Sequence, residues 1–264
     1  MRNAMVNAII RKDLRAIIAN KRMLSVMLIV PFMMAVVLPS IFILMLHFAP
    51  ESASDFQALI DGMTGGEQTG DATRMILTLL MDSMMPIFFI MIPVMVASVM
   101  AASSFVGEKE KRTLETLLYC PLTLKEIFRA KILASFLMSM LVSVISFVAM
   151  ELVVQVEIVL TTGSALPPGV SWLVVMLLLS PAVSLIAITV IVRGSAKAQT
   201  MEESQQRSAL LVLPIVLLVV GQFAGLLLVN VWMLLGMGIL FAAIALVLMN
   251  ASFRKLNYET LLKT

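Results

Sequence analysis

The chain has 264 residues, of which 61% are hydrophobic and only 13% are charged, and its mean hydropathy is +1.04. Soluble domains are about half apolar and about one quarter charged, so this composition excludes an ordinary soluble globular protein. The single cysteine and the single histidine exclude an internal disulfide and a multi-histidine metal site, and the net charge of +3 is too small to define a class of partner by itself.

An amphipathic helix is predicted over residues 5–19, ahead of the first apolar stretch. Arg11, Lys12 and Arg15 fall on one face of this helix, and the apolar side chains share the other face: Val6, Ile9, Ile10, Leu14, Ile17 and Ile18. A helix of this kind lies along a membrane surface. We interpret residues 1–22 as a cytoplasmic elbow segment, which is either a simple topological anchor or also a contact for a partner.

Apolar stretches of spanning length follow along the chain, at 23–48, 84–106, 131–157, 171–193, 209–229 and 231–252. The last two form one apolar tract, which as a single helix would be about twice as long as the hydrocarbon layer is thick. We therefore predict a turn near Asn230. The pattern predicts an all-α integral membrane protein, with six transmembrane helices in a single transmembrane domain covering residues 1–264.

The basic residues indicate which ends of the spans are cytoplasmic. Of the 19 Lys and Arg, 18 lie in 1–22, 107–131, 193–208 and 253–264, and only Arg74 lies elsewhere. The positive-inside tendency places both termini and the second and fourth connections in the cytoplasm. This explains the basic balance without a nucleic-acid partner. The acidic segment 49–83 becomes an external loop, and Trp172 and Trp232 are predicted at the external headgroups.

The connection between spans two and three, residues 107–130, has the most informative pattern. A dense run of mixed charge precedes an apolar ridge formed by Leu114, Leu117 and Leu118. A helix this short needs a surface to lie on. Pro121 ends it, and Thr123 with Glu126 form a capping box that starts a new helix at about Leu124, flanked by a hydrophobic staple of Leu122 and Ile127. The alternative interpretation is a solvated charged loop.

Polar residues inside the predicted spans are the candidates for a translocation path. On span three, Ser139, Ser143, Ser146 and Glu157 lie on one helical face, and Glu151 lies on another. This face is either the wall of a hydrated path or a packing interface in which the serines bond to neighbouring helices. Intramembrane carboxylates are costly, so Glu151 is the best single candidate. Gln222 of span five is also either a path or a packing residue.

The run from Ser103 to Leu118 (SSFVGEKEKRTLETLL), followed by Cys120-Pro121 and by 125–131, resembles the signature between spans two and three of type 2 ABC transporter permeases. The resemblance implies a permease subunit of an ATP-driven exporter, in which this connection is a cytoplasmic coupling helix that contacts an ATPase subunit. The residues implied in that contact are Glu108, Lys109, Glu110, Lys111, Arg112, Thr113, Leu114, Glu115, Leu117 and Leu118.

The resemblance also implies partners. These are two cytoplasmic ATPase subunits that hold ATP and Mg and drive alternating access, and a second permease subunit, identical or homologous, in the cell membrane. The chain has no GxxxxGK[ST] phosphate loop, so we expect it to hold no cofactor and to have no catalytic site. An ion- or proton-coupled secondary transporter, with Glu151, Glu157 and Asp82 as coupling sites, is the alternative.

Overall fold

The computed structural model describes residues 2–48, 72–110, 121–195, 198, 200–210, 212–223 and 230–254. About 92% of these residues are helical and none of them lies in a strand. Five helices of this described part are long and apolar enough to cross a membrane, and Val212–Gln222 is a shorter apolar helix. The predicted all-α membrane class is therefore confirmed.

We number the helices of the described part of the chain in order. The amphipathic N-terminal helix is α1 (Arg2–Ala19). Predicted spans one to four lie within α2 (Lys21–Phe48), α3 (Arg74–Glu110), α4 (Leu124–Thr162) and α5 (Val170–Gly194). A short polar helix and the described parts of predicted spans five and six follow as α6 (Met201–Ala209), α7 (Val212–Phe223) and α8 (Val231–Arg254).

Helices α3 and α4 are much longer than the spans predicted within them. With 37 and 39 residues, they measure about 55 and 58 Å, against about 30 Å for the hydrocarbon layer. Residues 74–83, which were assigned to the external loop, continue α3 because one face of this segment is buried. Its buried apolar residues are Ile76, Leu77, Leu80 and Met81. At the other end α3 continues to Glu110, so residues 107–110 of the predicted coupling segment are helical.

Where the structure describes the long helices, three π-helical segments interrupt them, and each ends two residues before a proline. They are Met33–Val37, Leu80–Met84 and Val175–Leu179, ahead of Pro39, Pro86 and Pro181. A π turn pairs each carbonyl with the N–H five residues later, as Met85 does with Leu80. The next such pair would join Pro86 to Met81, but proline has no N–H. The Met81 carbonyl therefore needs another donor.

The indole of Trp172 supplies that donor. Its Nε1–H donates to the Met81 carbonyl over 3.0 Å, and its rings pack against Phe89 and Phe147 at centroid distances of 5.5 and 5.3 Å. Only 2% of Trp172 is exposed, so the prediction of an indole at the headgroups is wrong for this residue. Trp232 is 78% exposed, so other helices of the described part of the chain do not enclose its indole.

Gly169 explains how the start of α5 comes so close to α3. Its N–H donates to Asp82 Oδ1 over 2.9 Å. A Cβ at Gly169 would lie only 2.6 Å from the Asp82 carboxylate, so a larger residue does not fit here. The negative carboxylate also lies at the N-terminus of α5, where the helix dipole favours it. The start of α5, including Trp172, is therefore held against the π turn of α3.

We expect Trp172→Phe to lower the free energy of unfolding by about 1–2 kcal/mol, because it leaves the Met81 carbonyl without its donor inside the bundle. The matched control is Trp232→Phe, which removes the same atoms at an exposed position and should change stability by less than about 0.5 kcal/mol. Unfolding in mixed micelles of SDS and a mild detergent measures both. Equal effects of the two substitutions would contradict this role of Trp172.

Candidate functional site

Four ionised side chains meet where α1, α3 and α4 pack together, at the end of α3 that leads into the predicted coupling segment. We call Lys12, Asp13, Glu108 and Lys131 the charge cluster. Asp13 and Lys131 are almost completely buried, with exposed side-chain fractions of 6% and 2%, and Glu108 is 10% exposed. Because burial of an unpaired charge costs several kcal/mol, these groups must neutralise one another.

Lys131 lies at the centre of the charge cluster. Its Nζ is 3.1 Å from Glu108 Oε2 and 3.6 Å from Asp13 Oδ2, and it donates to the backbone carbonyl of Ser104. The ammonium group also lies 5.6 Å from the ring centroid of Phe105. One cation on α4 thereby binds a carboxylate of α1 and a carboxylate of α3, so the three helices share one electrostatic contact.

The remaining members complete the pairing. Lys12 Nζ contacts Glu108 Oε1 over 2.5 Å, and the Ser104 hydroxyl donates to Asp13 while it accepts from Lys131. Two cations and two anions then sum to zero formal charge. Lys12 is 55% exposed, so it closes the cluster at the solvent-facing edge. The interior pair of Lys131 with Asp13 is shielded from water and from salt screening.

Helix α1 brings Asp13 to this position through its helical repeat. Ile9, Asp13 and Ile17 follow one another at four-residue intervals, and all three are buried. The sequence pattern placed the apolar residues of this face correctly for Ile9 and Ile17, but Ile18 is 56% exposed. Asp13 was missed because an acidic residue was not expected on the buried face. Its spacing from two isoleucines was the available signal.

The start of α4, which lies near the charge cluster, has the capping box and the first residue that the sequence predicts. The helix begins at Leu124, and the capping box of Thr123 and Glu126 is present, with the Thr123 N–H donating to Glu126 Oε2 over 3.0 Å. The residues of the predicted staple, Leu122 and Ile127, are both buried in a small apolar cluster with Ile9 of α1. Apolar contacts with α1 therefore fix the start of α4, and the charge cluster fixes the same helix two turns later, at Lys131.

The first residues of the predicted coupling segment contact two different neighbours. A Cβ at Gly107 would lie 3.0 Å from the sulfur of Met201, so α3 and the start of α6 approach closely here. Glu110 is exposed, and its carboxylate accepts the Met201 N–H over 3.3 Å. Glu108 points into the charge cluster and Lys109 is half-buried. The other predicted ATPase-contact residues lie outside the described residues: Lys111, Arg112, Thr113, Leu114, Glu115, Leu117 and Leu118.

The predicted serine face of span three lies against other helices. Ser139, Ser143 and Ser146 are all buried. The Ser139 hydroxyl donates to the Pro93 carbonyl of α3 over 2.8 Å and lies 3.0 Å from the hydroxyl of Ser184 on α5. Ser139 therefore joins three helices through hydrogen bonds. Within the described residues, the Ser143 hydroxyl has no hydrogen-bond partner.

The other predicted path residues lie toward the opposite end of the bundle. Glu151 is half-buried and accepts a hydrogen bond from Gln155 over 3.3 Å. Gln155, which the sequence analysis did not single out, also bonds to both the N–H and the carbonyl of Leu166. Glu157 is half-buried. Gln222 is buried in α7 and donates to the Ser83 carbonyl of α3 over 3.1 Å.

An apolar cavity of about 520 Å³ lies between α3 and the α6–α7 region. Most of its wall is methionine, valine and leucine, from Met91, Val94, Met95 and Val99 on α3 and from Val212, Leu213 and Val216 on α7. Two polar residues also line the cavity: Gln205 of α6, and Ser98, whose buried hydroxyl has no hydrogen-bond partner among the described residues. The size and lining suit a mostly apolar molecule with few hydrogen-bonding groups. Across the described residues, no group of three or more His, Cys, Asp or Glu is arranged to hold a metal ion.

We expect Lys131→Met to destabilise the protein by about 3–5 kcal/mol, because Asp13 and Glu108 would remain buried without their cation. Lys125→Met is the control, since Lys125 lies on the same helix but is exposed, and it should change stability by less than about 0.5 kcal/mol. The free energy of unfolding in SDS-containing micelles measures the difference. A loss at Lys131 no larger than that at Lys125 would show that the charge cluster does not stabilise this junction.

Comparison with known proteins identifies the family. A family model described as ABC-2 family transporter protein matches residues 7–231, which include the whole charge cluster, the cavity and the connection between α3 and α4. No curated protein and no solved structure matches the chain. Because the match covers most of the chain, this multi-pass membrane protein belongs to the ABC-2 transporter family and is a type 2 ABC transporter permease.

Proposed function

We propose that the chain is the membrane permease subunit of an ATP-driven exporter and that residues 107–130 receive the force of a separate ATPase. The observation that carries this proposal is the charge cluster, which binds together α3 and α4, the two helices that enter the predicted coupling segment from its two ends. Glu108 lies two residues before the end of α3, and Lys131 lies two turns into α4. Their contact of 3.1 Å holds both ends of the connection together.

Such an arrangement is suited to passing a displacement into the bundle. A push on the connection moves the ends of α3 and α4 as one unit, because separating them would expose or unpair buried charges. Helix α1 moves with them through Asp13, and α6 follows through Glu110 and Gly107. Both α3 and α4 are long enough to carry the movement across the whole bilayer.

The partners in this proposal follow from the family. Two ATPase subunits bind ATP and Mg on the cytoplasmic side, and a second permease subunit, identical or homologous, completes the transmembrane pathway. The cytoplasmic side carries both termini, in agreement with the 18 basic residues on that set of segments. ATP hydrolysis then takes place outside this chain, which supplies the transport path and the docking element.

The cavity between α3 and α7 is the candidate binding site for the transported molecule, or cargo. Its mostly apolar wall, with Ser98 and Gln205 as the polar lining residues, favours a cargo with an apolar body and few polar groups. Met91 and Met95 adapt to different apolar shapes because methionine side chains are flexible and polarizable. The cavity lies on the same helix as Glu108, so movement of the charge cluster would change its shape.

Leu117→Asp tests the docking assignment. The tagged chain is purified in mild detergent from the cells that produce it, and vanadate-sensitive ATP hydrolysis in the eluate is measured per amount of permease. We expect an ATPase to copurify with the wild type and expect Leu117→Asp to lower its recovery and activity at least about tenfold, because a charge in the apolar ridge costs more than about 1.4 kcal/mol of binding.

Ala165→Asp is the matched control, since it adds the same charge to an exposed residue of the connection between α4 and α5. This variant should keep the ATPase at the wild-type level. An eluate without ATPase activity, or equal activity for Leu117→Asp and the wild type, would contradict the proposal. Transport in proteoliposomes driven by an ion gradient without ATP, and abolished by Glu151→Gln, would favour a secondary transporter.

A further inference from the structure

The N-terminal helix has a strongly basic outer face. Arg11 and Arg15 are exposed on α1, and Lys21 and Arg22 are exposed at the start of α2. Lys12, also exposed, reaches from this face to Glu108. Within the part of the chain that the structure describes, no salt bridge joins Arg11, Arg15, Lys21 or Arg22 to an acidic residue. These four basic side chains are therefore available to bind an anionic group outside the helix bundle.

The absence of acid from this face follows from how α1 packs. Asp13 is the only acidic residue among the first 50 residues of the chain. Its carboxylate is buried in the charge cluster with Lys131 and Ser104, so it does not offset the outer arginines. Folding thus separates the charges of α1, with the anion toward α3 and α4 and the cations on the outside. The outer face presents only positive charge.

Exposed apolar residues lie beside these cations. At 100° per residue, Arg11, Arg15 and Ile18 fall within about 60° of one another on α1, and Ile18 is 56% exposed. The next turns of α2 expose Val26 by 50% and Ile29 by 59%. On a helix long and apolar enough to cross a membrane, exposed apolar residues are suited to contact with lipid. The basic face therefore lies at the boundary between the acyl chains and the aqueous phase.

We propose that the basic face of α1 and the start of α2 bind the phosphate groups of anionic phospholipids in preference to zwitterionic ones. Arginine presents several N–H donors that match phosphate oxygens, and each basic residue at a membrane surface attracts anionic lipid. The neighbouring Ile18 and Val26 pack against the acyl chains of the same lipids. Because Asp13 joins α1 to the charge cluster, a bound anionic lipid holds the elbow at the junction of α1, α3 and α4.

Native mass spectrometry tests this binding without ATP or an ATPase, so its outcome is independent of the proposed function. The full chain, purified in mild detergent with any subunits that accompany it, is titrated with phosphatidylglycerol or phosphatidylcholine. We expect tighter binding of phosphatidylglycerol by the wild type. Arg15→Gln should weaken phosphatidylglycerol binding about fivefold, and Arg11→Gln with Arg15→Gln about 25-fold, since each charge contributes roughly equally. Phosphatidylcholine binding should be unchanged.

Arg74→Gln is the matched control, because Arg74 is an exposed arginine at the opposite end of α3. It should leave phosphatidylglycerol binding at the wild-type level. The inference is overturned by equal binding of the two lipids to the wild type or by equal losses in Arg74→Gln and Arg15→Gln. It is also overturned if the double variant keeps its lipid preference but loses a copurifying protein, which would assign the basic face to a protein partner.

Discussion

Lys131 places a positive charge inside a bundle that is otherwise mostly apolar, and this constraint determines how α1, α3 and α4 pack together. The cost of burying an ammonium group is offset only if acidic groups reach it in good geometry. Asp13 of α1 and Glu108 of α3 do so, with Ser104 orienting both charges. The elbow helix therefore cannot leave α3 and α4 without unpairing a buried charge.

The two ends of α3 are held by different kinds of contact. At the end near Glu110 the helix makes ionic contacts, through Glu108 and Lys131. At the other end they are hydrogen bonds from Trp172, Gly169 and Gln222 to three successive residues of the π turn. Two of these hydrogen bonds are neutral and the third is accepted by the Asp82 carboxylate. Loss of one of the neutral bonds leaves a single polar group unpaired, whereas loss of one member of the charge cluster leaves a buried charge unpaired, which costs more.

The sequence predicted the parts of this structure that depend on local pattern. The capping box at Thr123 and the start of α4 at Leu124 follow from residue types a few positions apart. Contacts between distant segments were not predictable in this way. Lys131 was counted only as a basic residue of a cytoplasmic connection, and Trp172 was assigned to the headgroups, because nothing local shows that Asp13 or Met81 lies beside them. The burial of one face of residues 74–83 was likewise not expected, because the segment carries the charges of Arg74 and Asp82.

A double-mutant cycle on Asp13 and Lys131 tests the central claim most directly. The free energies of unfolding of Asp13→Asn, Lys131→Met, the double variant and the wild type give the coupling energy between α1 and α4. We expect a coupling energy of at least about 2 kcal/mol. The double variant should lose less stability than the two single variants lose together, because removing both charges leaves less unpaired charge buried. If the two single losses instead sum to the loss of the double variant within about 0.5 kcal/mol, Asp13 and Lys131 act independently. That result would contradict a charge cluster that joins α1 to α4.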